Sequence, residues 1–263
     1  MKHLKTLGLC VVAICALSVA IVSSAQAAAP EYGRCLKAEK NVKKEWTGSF
    51  SDSKCNKAVS EAEKAKKGKY SWFPGAVKKF QTSTGGKAVL EEVGKYAVGC
   101  ESETSVGEYA GTKEVHGVVV KFKNCKSGPL TCTSEGHPLG ELETNTLEGR
   151  VVWENEAARK TAFELFPAIG QEQFIEFNCG GQLTVAVKGA ILVPIKPDKM
   201  SETVPLKFKA KHGFQAVEYY EEGGKKIKAV LLSNFAGQGF AQAGQNITST
   251  VKNEEKLELN TIV

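Results

Sequence analysis

Histidine and aspartate are scarce in this chain, which has four His and two Asp among 263 residues. His116, His137 and His212 form no His-Glu-x-x-His zinc signature, and there is no Gly-x-Ser-x-Gly nucleophile elbow. A Ser-His-Asp arrangement would have to use Asp52, Asp198 or a Glu in their place. Asp52 has an explanation as a helix cap, and Asp198 sits in a Pro-rich turn. Calcium loops draw several ligands from closely spaced Asp and Asn, and that pattern is missing. Arginine is rare as well, limited to Arg34, Arg150 and Arg159. Phosphate and base recognition favour the forked guanidinium, so nucleic acid is not an expected partner. The many Lys and Glu read as a solubilising coat. No metal and no other cofactor is expected.

The N-terminus reads as an export leader. Lys2 and Lys5 precede an uncharged apolar run from Leu7 to Val22, and Ser23-Ser24-Ala25-Gln26-Ala27 supplies the small residues of a cleavage site. Residues 1–27 are assigned to the signal peptide, with Ala28 as the new N-terminus. The apolar run is short for a bilayer span of about 20 residues, so no membrane span is expected after cleavage. Loss of Lys2 and Lys5 takes the formal charge from +6 to +4.

Six cysteines then remain: Cys35, Cys55, Cys100, Cys125, Cys132 and Cys179. An even number in an exported chain reads as three disulfides. Zinc is excluded by spacing, since there is no Cys-x-x-Cys and only His137 lies near any of them. The expected pairs are Cys35–Cys55 and Cys125–Cys132 as local staples, with Cys100–Cys179 as the long link.

Residues 28–80 differ from the rest. They are rich in Lys, and Cys55, Ala58, Val59, Ala62 and Ala65 recur at helical spacing after Ser51 or Asp52. Glu63 precedes Lys67 in the favourable order, and Gly68 is placed to end the helix in a left-handed turn. This gives a small helical, Cys-rich appendage. Gln81-Thr-Ser-Thr-Gly-Gly86 reads as a linker.

From residue 87 to 263 nearly every segment reads as strand. Val118, Val120 and Phe122 alternate with Val119, Lys121 and Lys123, the period of a strand with one buried face. Leu183, Val185 and Val187 alternate, and Ile191, Val193 and Ile195 resume after Gly189, a candidate bend within one long strand. About a dozen strands are expected in an antiparallel β-sandwich or barrel-like domain, and pattern alone leaves closure open.

The segments Pro30-Glu-Tyr-Gly-Arg-Cys35, Tyr70-Ser-Trp72 to Pro74-Gly75 and Cys100-Glu-Ser-Glu-Thr-Ser-Val-Gly-Glu-Tyr109 carry a resemblance. Cys179-Gly-Gly181, Val193-Pro-Ile195 and Asn253-Glu-Glu255 to Asn260-Thr261 extend it over nearly all of the mature chain. Together they resemble a group of exported proteins of soil actinobacteria with no known activity. The resemblance implies export and a shared fold. It implies no mechanism.

Three classes of function remain. Glycoside hydrolysis needs two carboxylates facing a cleft, and Glu101, Glu103 and Glu176 are the candidates; Glu101 and Glu103 would share a side if the strand continues past Cys100. Binding is the second class, with Trp72, Trp153, Tyr219 and Tyr220 as candidate contacts and a cell-wall glycan as candidate partner. A surface-structural role is the third. An exported, disulfide-stabilised protein, secreted or cell-wall associated, that binds or supports rather than catalyses is the favoured reading.

Overall fold

The computed structural model describes residues 30–94, 96–196 and 199–261. The leader read in residues 1–27 and the turn residue Asp198 lie outside them. In chain order the elements are β1 (Glu31–Lys37), α1 (Glu61–Lys67), β2 (Tyr70–Pro74), β3 (Phe80–Gly85), β4 (Ala88–Glu92), β5 (Ala97–Cys100), β6 (Ser102–Ala110) and β7 (Glu114–Lys123). They continue as β8 (Lys126–Ser127), β9 (Leu130–Thr133), β10 (Leu142–Glu143), β11 (Leu147–Asn155), β12 (Lys160–Pro167), β13 (Ile175–Cys179), β14 (Leu183–Gly189) and β15 (Ile191–Ile195). The last are β16 (Ser201–Phe208), β17 (Ala210–Lys211), β18 (Phe214–Gln215), β19 (Tyr219–Glu222), β20 (Lys225–Lys228), β21 (Leu231–Phe235) and the long β22 (Ala241–Asn260).

These strands form a closed antiparallel barrel with additional strands. One ring runs β4-β5-β8-β9-β13-β14-β21 and returns to β4 through Ala241–Asn246 of β22, with ladder pairing at every step. Closure removes the free edges that an open sheet would expose. A second run of strands, β15-β12-β11-β7-β6-β3, continues through Ile247–Asn253 of β22 to β16. The chain passes back and forth between the two: β3 into β4, β5 into β6, β7 into β8, β9 into β10 and β11, β12 into β13, β14 into β15, β16 by way of the β19–β20 hairpin into β21, and within β22 itself. Gly189, at φ +100, stands at the β14–β15 passage, a backbone region that favours glycine. The bend expected there is present.

The apolar faces meet inside. Val118 of β7, Leu147 and Val151 of β11, Phe163 of β12 and Val193 of β15 are buried together with Phe177 and Val185 of the closed ring. The opposite face of β11, β12 and β15 is also covered. Val152, Ala162 and Leu192 pack there against Tyr220 and Ala229 from the β19–β20 hairpin region.

Several sequence expectations are corrected. Residues 81–86 are not a linker: Gln81 to Gly85 lie in β3, paired with β6 on one side and β22 on the other. The helix does not start near Cys55. Cys55 has φ +51, outside the right-handed helical region, and Asp52 accepts from the backbone N–H groups of Asn56 and Lys57 in a turn. Among the described residues only α1 is helical, and the Glu63–Lys67 ion pair lies on it. Gly68 ends it at φ −74 rather than in a left-handed turn. Its lack of a side chain answers a close approach, since a Cβ would collide with the Gly48 carbonyl. The first strands are joined to the main body, β1 pairing with both β2 and the end of β22.

The disulfides are Cys35–Cys55, Cys100–Cys125 and Cys132–Cys179. The first expected pair is present; the other two are exchanged. Cys125 and Cys132 do face each other across the β8–β9 hairpin, where the Cys132 N–H donates to the Cys125 carbonyl at 2.9 Å. Each sulfur instead reaches the strand on its outer side. Cys132 is the direct register partner of Cys179 on β13, and Cys125 follows β7 beside the end of β5. Neighbours in the ring, rather than neighbours in sequence, set the pairing.

Candidate functional site

A cavity of about 180 Å³ lies between the two sets of strands. Most of its lining is apolar, with Val118, Val120, Leu147, Phe163, Leu165 and Phe177 among the lining residues. These are the inward positions of β7, β11, β12 and β13, put there by the period-two alternation of each strand. Engineered apolar cavities of about 150 Å³ bind molecules the size of benzene.

The wall made by β3, β6 and β22 is different. Its inward positions carry Gln81 and Ser83, Glu103 and Ser105, and Ser249. Glu103 is 5% exposed and is the only carboxylate that lines the cavity among the described residues. Ser83 donates to its Oε1 at 2.8 Å and Ser249 to its Oε2 at 2.7 Å. Ser105 Oγ lies 2.7 Å from Ser83 Oγ. Ser83 has one hydroxyl hydrogen and gives it to Glu103, so Ser105 is the donor in that contact. The relay runs Ser105 to Ser83 to Glu103, with Ser249 arriving from the other side.

Tyr32 and Tyr109 border the same cavity and meet edge to face, ring centroids 4.9 Å apart. Tyr109 donates to Asn253 Oδ1 at 2.9 Å. Burial pushes both phenols above their ordinary value, in Tyr32 with help from Tyr109 and in Tyr109 against the opposing Asn253 bond. Both present neutral hydroxyls at physiological pH.

The carboxylate candidates do not converge. Cys100 and Glu103 are both buried while Glu101 between them is exposed, because the chain bends at Glu101 where β5 passes into β6. The shared side expected for Glu101 and Glu103 depended on an unbroken strand and is corrected. Glu101 accepts from Asn124 on the outside, and Glu176 is exposed on β13 opposite Ala186.

The aromatic candidates are also dispersed. Trp72 is half-buried on β2, its indole N–H donating to Glu31 at 2.6 Å and its ring lying where a side chain on Gly33 would stand. Trp153 is 3% exposed on β11, and its indole N–H has no acceptor among the described residues. Tyr219 and Tyr220 do point to opposite faces, 39% and 4% exposed. Lys226 stands over the Tyr219 ring, and Tyr220 accepts from Arg150, which also donates to Glu164 at 2.7 Å. None of these four lines the cavity.

Sequence reasoning singled out Glu103 but not its hydroxyl partners. The only signal was faint: Phe80 stands on the exposed set of β3, while Thr82 and Thr84 beside it are as polar as the inward Gln81 and Ser83.

No protein-family model matches the chain, and neither a curated protein nor a solved structure matches it.

Proposed function

We propose that this is an exported binding protein that holds a small, mostly apolar molecule in the cavity of its barrel. The cavity carries the reading: about 180 Å³ of apolar space with one wall of convergent polar groups. Sites for small molecules combine apolar lining with a few placed polar groups in this way, and barrels of about eight strands hold one small ligand. The leader in residues 1–27 and the three disulfides support export and an extracellular place of action. The Cys35–Cys55 segment serves as a stapled appendage to the barrel.

Thermal unfolding of the exported chain with rising concentrations of benzene or hexanol tests this. A ligand at about 100 times its Kd stabilises the folded state by about 2.7 kcal/mol, so Tm should rise with concentration. A Val120→Phe variant, which fills the cavity, should keep the fold and lose the response. No shift with either compound in the wild type would leave the barrel without a binding role.

A further inference from the structure

We propose that the molecule taken by the cavity carries a cationic, amine-type head that sits on Glu103, with a compact apolar body against the apolar remainder of the lining. This rests on the cavity reading above and names the chemical class of its ligand. Buried carboxylates are normally paired with a cation or a metal, because desolvating the charge is costly. Among the described residues no cationic side chain pairs with Glu103. The described residues that line the cavity include no Lys, Arg or His. What Glu103 has is hydroxyls, and every hydroxyl hydrogen in the relay points toward the carboxylate.

That arrangement orients the carboxylate without neutralising it. A carboxylate offers about four lone-pair sites, and Ser83 and Ser249 occupy two. An ammonium group supplies both the missing N–H donors and the missing charge, and charge-assisted bonds of this kind are roughly twice as strong as neutral ones. An anionic head would meet like charge with no cation nearby. A neutral alcohol would gain a hydrogen bond but leave the charge unpaired.

The polarity of the cavity sets the rest of the molecule. Glu103, Ser83, Ser105 and Ser249 are grouped on β3, β6 and β22, while Val118 and Val120 on the neighbouring β7 and Leu147, Phe163 and Leu165 beyond it make the lining there apolar. A cavity somewhat larger than those that take benzene admits an apolar body of about six to eight heavy atoms. A linear or aromatic primary amine meets both requirements. A sugar, with polar groups all around, does not.

The test titrates hexylamine, hexanol and hexanoate separately into the full exported chain at pH 7, followed by calorimetry. The wild type should bind hexylamine at least tenfold tighter than hexanol, and hexanoate weakest of the three. In Glu103→Gln the amine advantage should vanish while hexanol affinity changes by less than threefold. Hexanol or hexanoate binding as tightly as hexylamine to the wild type would overturn the amine assignment and leave the cavity reading standing. Failure of all three to bind would remove both. The wild-type comparison decides the matter alone if Glu103→Gln does not fold.

Discussion

Gly85 and Glu103 are direct register partners on β3 and β6, and the glycine makes room for the carboxylate. A Cβ at Gly85 would fall 2.6 Å from Glu103 Oε2 and 2.9 Å from Ile247 Cδ1. The backbone at Gly85 is not in the left-handed region, so the constraint is space and not conformation.

Gly85→Ala should therefore cost about 1–3 kcal/mol, the range for overpacking a filled site. Part of that cost should disappear when Glu103 is shortened. Urea unfolding of Gly85→Ala in the wild-type and Glu103→Ser backgrounds measures the coupling. Equal costs in both would mean that Ile247 alone sets the constraint.

Two of the disulfides sit at seams of the closed ring with little ladder. A single register pair, Gly99 with Lys126, joins β5 to β8, and two pairs join β9 to β13. Cys100–Cys125 and Cys132–Cys179 staple those two seams, over sequence separations of 25 and 47. Chain entropy puts their contributions at about 3.5 and about 4 kcal/mol. Replacing Cys132 and Cys179 together by Ser should destabilise more than the Cys100/Cys125 double variant. The four cysteines fall on separate tryptic peptides, so mass spectrometry of the unreduced digest checks the pairing. A peptide joining Cys125 to Cys132 would refute it.

The parts of this fold legible in sequence are those where polarity and burial agree. Val118, Val120 and Phe122 could be placed on one face of a strand because their neighbours are lysines. Strand β3 was hidden because its inward residues are Gln81 and Ser83, which face the polar wall of the cavity. Its outward residues Thr82 and Thr84 are polar as well, so almost no alternation shows, and a run of Thr, Ser and Gly then resembles a linker. Glu101 and Glu103 part company for a different reason. The bend at Glu101 shifts the alternation by one position, and a one-residue shift moves every later side chain to the other face. The cysteine pairing depended on which strands become neighbours when the ring closes, and no local pattern carries that.

Outside the barrel, Arg150 of β11 pairs with Glu164, its register partner on β12, and donates to the Tyr220 hydroxyl. Glu164 is buried beneath the β19–β20 hairpin region, whereas Arg150 retains some exposure. Removing Arg150 leaves a buried carboxylate unpaired, a loss of about 3–5 kcal/mol when fully buried and about 2 kcal/mol at this partly wet site. Arg150→Met should show that loss in urea unfolding, and Arg150→Met with Glu164→Leu should recover most of it. A double variant no more stable than Arg150→Met would show that the pair is held for something other than its own charge balance.

Glu258 gives the protein a pH dependence of definite sign. It lies on β22, 3% exposed, and its Oε1 has no partner among the described residues. Burial raises its pKa above the ordinary 4.5, against the lowering effect of backbone donors at Cys35 and Met200 and of the Lys54 charge. The folded state therefore holds this proton at pH values where the unfolded chain has released it. Stability falls wherever the folded state binds more protons. The contribution of Glu258 is full below about pH 4.5 and is lost as pH rises through the folded value. Glu258→Gln lacks this titration. Urea unfolding at pH 4, 5, 6 and 7 should show the wild type losing stability relative to Glu258→Gln as pH increases. A difference that stays level, or that favours the wild type more at pH 7 than at pH 4, would mean that the backbone donors and Lys54 outweigh burial at this carboxylate.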